Sequence, residues 1–137
     1  MQYMRKKYTY INIKYRQMYV RRTDSILFVI DSANSERMKE CKEELDHLFR
    51  EEIVPSRIPF LIILNKIDLP GAMREEEILE RIGIYRHKHD FTIVNCCAIT
   101  GVGLDDFVER LNASINESRL DDVRRATFQE AKEVRRT

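Results

Sequence analysis

The chain has 137 residues, 43% hydrophobic and 34% charged, with a formal net charge of +1. That length sets a single domain, and the near-zero charge excludes strong electrostatic attraction to nucleic acid or an anionic membrane. Only four glycines occur, Gly71, Gly83, Gly101 and Gly103, so no glycine-rich phosphate loop exists upstream of Gly71.

Residues 1–14 form a basic, tyrosine-rich leader containing Tyr3, Tyr8 and Tyr10; Tyr15 and Tyr19 follow. Ile11, Tyr15, Met18 and Arg22 can line one helical face. The first apolar run is Ser25–Asp31, nearly continuous rather than alternating. Such a run predicts a strand buried on both faces of a parallel sheet. Residues 34–52 follow as a helix with Met38, Cys41, Leu45, Leu48 and Phe49 on one stripe, Asn34 or Ser35 at its cap, and Pro55 and Pro59 beyond it. Pro59–Asn65 is the second predicted strand, and 74–82 a short helix with Ile78, Leu79 and Ile82 inward, stopped by Gly83. Phe91–Cys97 is the third strand. Residues 104–117 give a helix through Leu104, Phe107, Val108, Leu111 and Ile115. Residues 118–137 are a charged helical or disordered tail with a thin stripe of Leu120, Val123, Thr127, Ala131 and Val134. The β-α-β-α-β-α order predicts an α/β domain of three parallel strands with flanking helices.

No apolar run reaches the roughly 18 residues of a membrane span. Gln2 follows Met1, so the N-myristoylation signal is absent, and Val134-Arg135-Arg136-Thr137 is not a prenylation box. Three cysteines, two of them adjacent, make a poor disulfide framework and point to a reducing, cytoplasmic location.

Two motifs carry chemistry. Asn65-Lys66-Ile67-Asp68 closes the second predicted strand, where ligands of open α/β sheets sit. An aspartate there accepts two hydrogen bonds, from guanine N1–H and its exocyclic amine. Adenine lacks that donor pair, and a wrong base leaves the acceptors unpaired. The lysine stem can lie along the purine face with its ammonium in water, and the asparagine amide can brace neighbouring loops. Cys97-Ala98-Ile99-Thr100-Gly101-Val102-Gly103-Leu104 closes the third strand. A small residue there lets a backbone N–H reach guanine O6, and the glycines permit the turn into the last helix. Each motif is weak alone. At consecutive strand ends, about 30 residues apart, they are specific.

With these motifs the sequence resembles the ADP-ribosylation factor and Arf-like (Arf/Arl) branch of the small GTPases, over about 15–117. The resemblance is carried by Thr23–Ser32, Glu36-Arg37, Glu43-Glu44-Leu45, Asn65–Met73, Glu77-Ile78, Ile82-Gly83-Ile84 and Cys97–Leu104, in family order and spacing. Tyr15-Arg16 resembles the W-R or W-K of the family's second switch helix. The resemblance implies a partial Ras-like P-loop GTPase fold, with Asn65, Lys66 and Asp68 reading guanine, Cys97 and Ala98 in the second base loop, and Ile99 beside it. It implies GTP or GDP as ligand, effector or regulator proteins as partners, a role in membrane traffic or signalling, and peripheral membrane contact through partners.

No G-x-x-x-x-G-K-[ST] phosphate loop and no separate D-x-x-G switch motif occur in these residues. The N-terminal strands and phosphate loop of the fold are therefore expected to be missing, with no ligands for the family's Mg²⁺. Nucleotide binding is expected to be weak or lost and hydrolysis absent, because those parts supply most phosphate affinity and the transition-state stabilisation. The edge carrying Ile26, Phe28 and Ile30 is expected to be unpaired and apolar.

Other readings stay open. Asn65–Asp68 with Pro70 can be a simple turn. Asp31 reads as a carboxylate opening a helix, Cys96 and Cys97 as small core residues, and His47, His87 and His89 as isolated on charged stretches. The arginine pairs at 21–22, 124–125 and 135–136 read as solvated. The chain as a whole can also be a nucleotide-independent interaction module, or a truncated product without a stable fold.

Overall fold

The computed structural model describes Val20, residues 23–51 and residues 53–136. The leader at 1–14, the tyrosines up to Tyr19 and the Tyr15-Arg16 resemblance lie outside the described residues. Three strands form one parallel sheet in the order β1 (Ile26–Asp31), β2 (Phe60–Asn65), β3 (Phe91–Asn95). Among the described residues the helices with defined bounds are α1 (Met38–Arg50), α2 (Glu75–Ile82) and α3 (Leu104–Arg136). Single 3-10 turns, Ser35–Arg37 and Ile84–Arg86, precede α1 and follow α2. The predicted α/β class and the three parallel strands with flanking helices are what the structure contains.

The central strand explains the architecture. In β2, Phe60 to Leu64 are all buried, with Leu61, Ile62 and Leu64 at 0% exposure. A strand so apolar on both sides needs a cover on each face. On one face Phe60, Ile62 and Leu64 join Ile30, Met38, Leu45, Leu48, Ile78, Leu79 and Ile82 from β1, α1 and α2. On the other, Leu61, Ile63, Val94 and Cys96 meet Leu104, Phe107 and Leu111 of α3. The stripe spacing of the sequence points these residues inward, whereas Val108, expected on the α3 stripe, is 52% exposed because it lies beside the Leu104–Phe107–Leu111 line that meets the sheet. Each fully buried aliphatic side chain contributes about 1.5–3 kcal/mol.

β1 departs from the expectation of burial on both faces. Ile30 is buried and Ile26 and Phe28 are partly buried on the α1 side, but Leu27 is 44% and Val29 63% exposed. α3 lies over β2 and β3, and among the described residues no further layer covers the alternate side chains of β1. β1 is, as expected, an apolar edge strand that pairs with β2 alone among the described residues, and its water-facing side chains are Leu27 and Val29. The third strand also ends earlier, at Asn95.

Helix termini differ from the expectation in physical detail. Neither Asn34 nor Ser35 makes a side-chain cap bond; residues 35–37 form a 3-10 turn instead, and α1 begins at Met38. Gly83 ends α2 in the left-handed region at φ 65°, as the stop required. The tail does not fray into a separate segment. Leu104–Arg136 is one helix of 33 residues, in which every residue from Arg119 to Arg136 is exposed. No described helix is long and apolar enough to cross a membrane.

Candidate functional site

The two motifs sit side by side at the carboxyl ends of β2 and β3. The sequence at the end of β2 dictates this. Asp31 and Asn65 are register partners across β1 and β2, and Leu64 pairs with Asn95 across β2 and β3. The three strand ends therefore fall on one rim. Asn65 Oδ1 accepts the Ala98 N–H at 3.0 Å and faces Cys96 Sγ at 3.8 Å. Its amide thus braces the second loop, the role expected from the sequence. Asn65 C=O accepts the Ser32 N–H at 3.0 Å, and Ser32 C=O accepts the Met73 N–H at 2.8 Å. These bonds stitch β1, β2 and the Leu69–Met73 stretch together.

Lys66 is the one non-glycine among the described residues with positive φ, at 62°. That left-handed conformation crowds Cβ against the next carbonyl, and such strained residues cluster at functional sites. Its ammonium donates to Asp31 Oδ2 at 2.9 Å, with the side chains 46% and 32% exposed. The lysine head is therefore held by a carboxylate instead of by water alone. Asp31 Oδ1 also accepts the Ala33 N–H at 3.0 Å. So Asp31 opens the turn before α1, as expected, and adds an ion pair that the sequence did not reveal. The Lys66 bond above all holds the Asp31 carboxyl below its usual range; burial, the next-largest influence, pushes it up, and the Ala33 amide and the nearby positive charges of Lys66 and Arg37 pull it down again. Asp68 is exposed and makes no hydrogen bond or ion pair among the described residues, so its carboxylate is free to accept from a ligand.

The second loop is tied tightly. Cys97 is buried, its N–H donating to Val102 C=O at 2.8 Å while its C=O accepts the Gly101 N–H at 2.9 Å. Ala98 and Ile99 stand exposed, Ile99 at 93%. Gly103 has φ 79°, and a Cβ there would collide with the Asn95 carbonyl oxygen. Only glycine lets the chain pass β3 and enter α3 at this point.

Of the six predicted site residues, Asn65, Lys66 and Asp68 share one loop, and Asn65 joins it to Ala98 in the other. None of the six lines the cleft of about 830 Å³ that lies among Asp46, Phe49, Arg50, Arg86 and His89 near the opposite rim. There the histidines are not isolated. His87 and His89 have ring centroids 4.9 and 5.3 Å from Phe49, and His87 Nε2 is 3.0 Å from Asp46 Oδ1. A one-dimensional reading missed this because the contacts join residues about 40 positions apart. Among the described residues no three histidine, cysteine or carboxylate side chains come together as metal ligands.

The fold defines the class as a Ras-like small GTPase. It is similar to the solved Arl6 BBS3 small GTPase from Trypanosoma brucei, determined with the nucleotide analogue GppNp, at a TM-score of 0.67 and 26% identity over 77% of this chain and 67% of that one. The chain belongs to the ADP-ribosylation factor family, whose model matches residues 12–115. ADP-ribosylation factor-like protein 6 from Caenorhabditis elegans is 36% identical over 110 residues, 77% of this chain and 58% of that protein. Human ADP-ribosylation factor-like protein 4D is 38% identical over 96 residues, 68% of this chain and 47% of its own length. The chain thus spans about half the length of these curated relatives.

Proposed function

We propose that this chain is the guanine-recognition part of an Arf-like GTPase switch, binding GTP or GDP through Asn65, Lys66, Asp68, Cys97, Ala98 and Ile99. The observation that carries this reading is the Asn65–Ala98 hydrogen bond, which joins the two base motifs into one rim. Asp68 supplies the paired acceptor for guanine N1–H and amine, and the exposed loop at Ala98 and Ile99 faces O6. As in the family, the role is a switch in membrane traffic or signalling, with effector or regulator proteins as partners, cytoplasmic and peripheral to membranes.

Phosphate contacts supply most triphosphate affinity in this class, and no phosphate-loop motif lies in these residues. Base contacts alone give a dissociation constant of about 1 mM or weaker, near 4 kcal/mol. The chain therefore does not hydrolyse GTP on its own. Titration of fluorescent GDP and GTP with Mg²⁺ tests this. Millimolar guanine-selective binding without turnover is expected; micromolar affinity or measurable hydrolysis would sink it.

One observation favours a second reading, a nucleotide-independent interaction module. The outer part of α3 exposes Leu120, Val123, Phe128 and Val134, each at 57% or more. A partner whose binding ignores both added nucleotide and Asp68→Asn would support that reading over the first.

A further inference from the structure

Lys66 is constrained at both ends. Its backbone is fixed in the left-handed region, with its C=O accepting the Leu69 N–H at 3.3 Å. Its ammonium, four methylenes away, is bonded to Asp31 Oδ2. Asp31 is itself anchored before the lysine arrives, because Oδ1 takes the Ala33 N–H in its own turn. Its position is also set by the sheet, since Asp31 and Asn65 are register partners and the Ser32 N–H donates to Asn65 C=O. A free lysine side chain samples many rotamers, and ordering it when a ligand arrives opposes binding. A lysine already spanned between two fixed points does not carry that penalty.

We propose that Asp31 is a positioning residue for the guanine slot: it anchors the Lys66 ammonium so that the lysine stem stands as a preformed wall for the purine face. The proposal rests on the guanine-binding reading above. The carboxylate remains charged throughout the neutral range, which keeps the anchor engaged. Asp31 touches no base atom in this scheme; it acts through Lys66.

The test uses the full chain, with guanosine and GDP as probes and adenosine as control, followed by ligand-observed and ¹⁵N-lysine NMR. Asp31→Asn should weaken both guanine ligands by about three- to fivefold, the span of a half-exposed ion pair. It should speed exchange of the Lys66 ammonium protons with water and lower guanosine affinity together, whereas a merely structural role would alter stability and leave guanosine affinity unchanged. Lys66→Met keeps the stem and removes the head, so it should weaken binding by the same factor. Asp31→Asn added to Lys66→Met should then change nothing more, and Asp31→Glu should restore most of the affinity. If guanosine binds the parent chain and Asp68→Asn abolishes that binding while Asp31→Asn leaves it unchanged, the proposal is overturned and the guanine reading stands. If guanosine does not bind the parent chain at all, both fall. If Asp31→Asn does not fold, Lys66→Met, which leaves the Asp31 turn intact, decides alone, and an unchanged affinity overturns the proposal.

Discussion

Asn65 Oδ1 accepts the Ala98 N–H at 3.0 Å across 33 residues of sequence, so the loop after β3 takes its position from the end of β2. Replacing Asn65 by alanine removes the acceptor. Ala98 is exposed, so its N–H turns to water and the cost stays near that of one net hydrogen bond, about 1 kcal/mol. Asn65→Asp keeps an oxygen in place and should cost less. Urea unfolding of both variants checks the order; an alanine variant as stable as the aspartate one would contradict it.

Two glycines in the second loop should respond unequally to alanine. Gly101 and Gly103 both have positive φ, 84° and 79°. Nothing lies within 4 Å of the point a Cβ would occupy at Gly101, so Gly101→Ala costs only the left-handed strain, about 1–2 kcal/mol. Gly103→Ala adds a collision with the Asn95 backbone and should cost more than about 3 kcal/mol in total. Thermal unfolding of the pair tests this, and equal shifts would refute it.

Acid should expose the Asp31–Lys66 pair. The folded-state value of Asp31 lies below its ordinary one, so the unfolded chain binds the proton more readily. The stability this pair contributes is complete above the unfolded value near pH 4 and disappears as the pH falls through the lowered folded value. Parent and Asp31→Asn should therefore differ most at neutral pH and converge in acid. Denaturant midpoints measured from pH 7 to 2 read the difference, which is small because both side chains are substantially exposed. A gap that widens in acid would be the wrong sign.

The outer face of β1 should tolerate polarity, and the buried central strand should not tolerate truncation. Val29, 63% exposed, changed to threonine should shift stability by no more than about 0.5 kcal/mol and reduce aggregation at the sheet edge. Leu64, fully buried on the neighbouring strand, changed to alanine should cost about 2–5 kcal/mol. Light scattering and denaturant unfolding separate these outcomes.

Periodicity made most of this fold legible. The continuous run Phe60–Leu64 reads as a central strand, and the stripes of Met38, Leu45, Leu48 and of Ile78, Leu79, Ile82 named the inward faces of their helices. It failed at Leu27 and Val29 because burial on a second face depends on where a third layer lies, and local sequence does not encode the reach of α3. Within the candidate site, Asn65–Asp68 and Cys97–Leu104 were legible as motifs. Asp31 as a partner of Lys66 was not, because the pairing arises from strand register. The backbone of Lys66 was equally silent, since positive φ has no signature in a lysine. His87 against Asp46 and Phe49 escaped for the same reason as Asp31: residues close in space are remote in sequence.

The single helix Leu104–Arg136 has a mechanical consequence. At 1.5 Å per residue its 33 residues extend about 50 Å, longer than the roughly 20 Å of a six-residue strand beneath it. Among the described residues it is tied to the body by Ser118 Oγ, donating to Arg57 C=O at 2.9 Å, and by Arg119, 3.6 Å from Asp24. From Val123 onward the helix is a lever arm that converts a small tilt at its root into a displacement several times larger at its tip. A probe attached near Arg136 would report the orientation of the sheet at a distance, about 25 Å along the helix from Arg119.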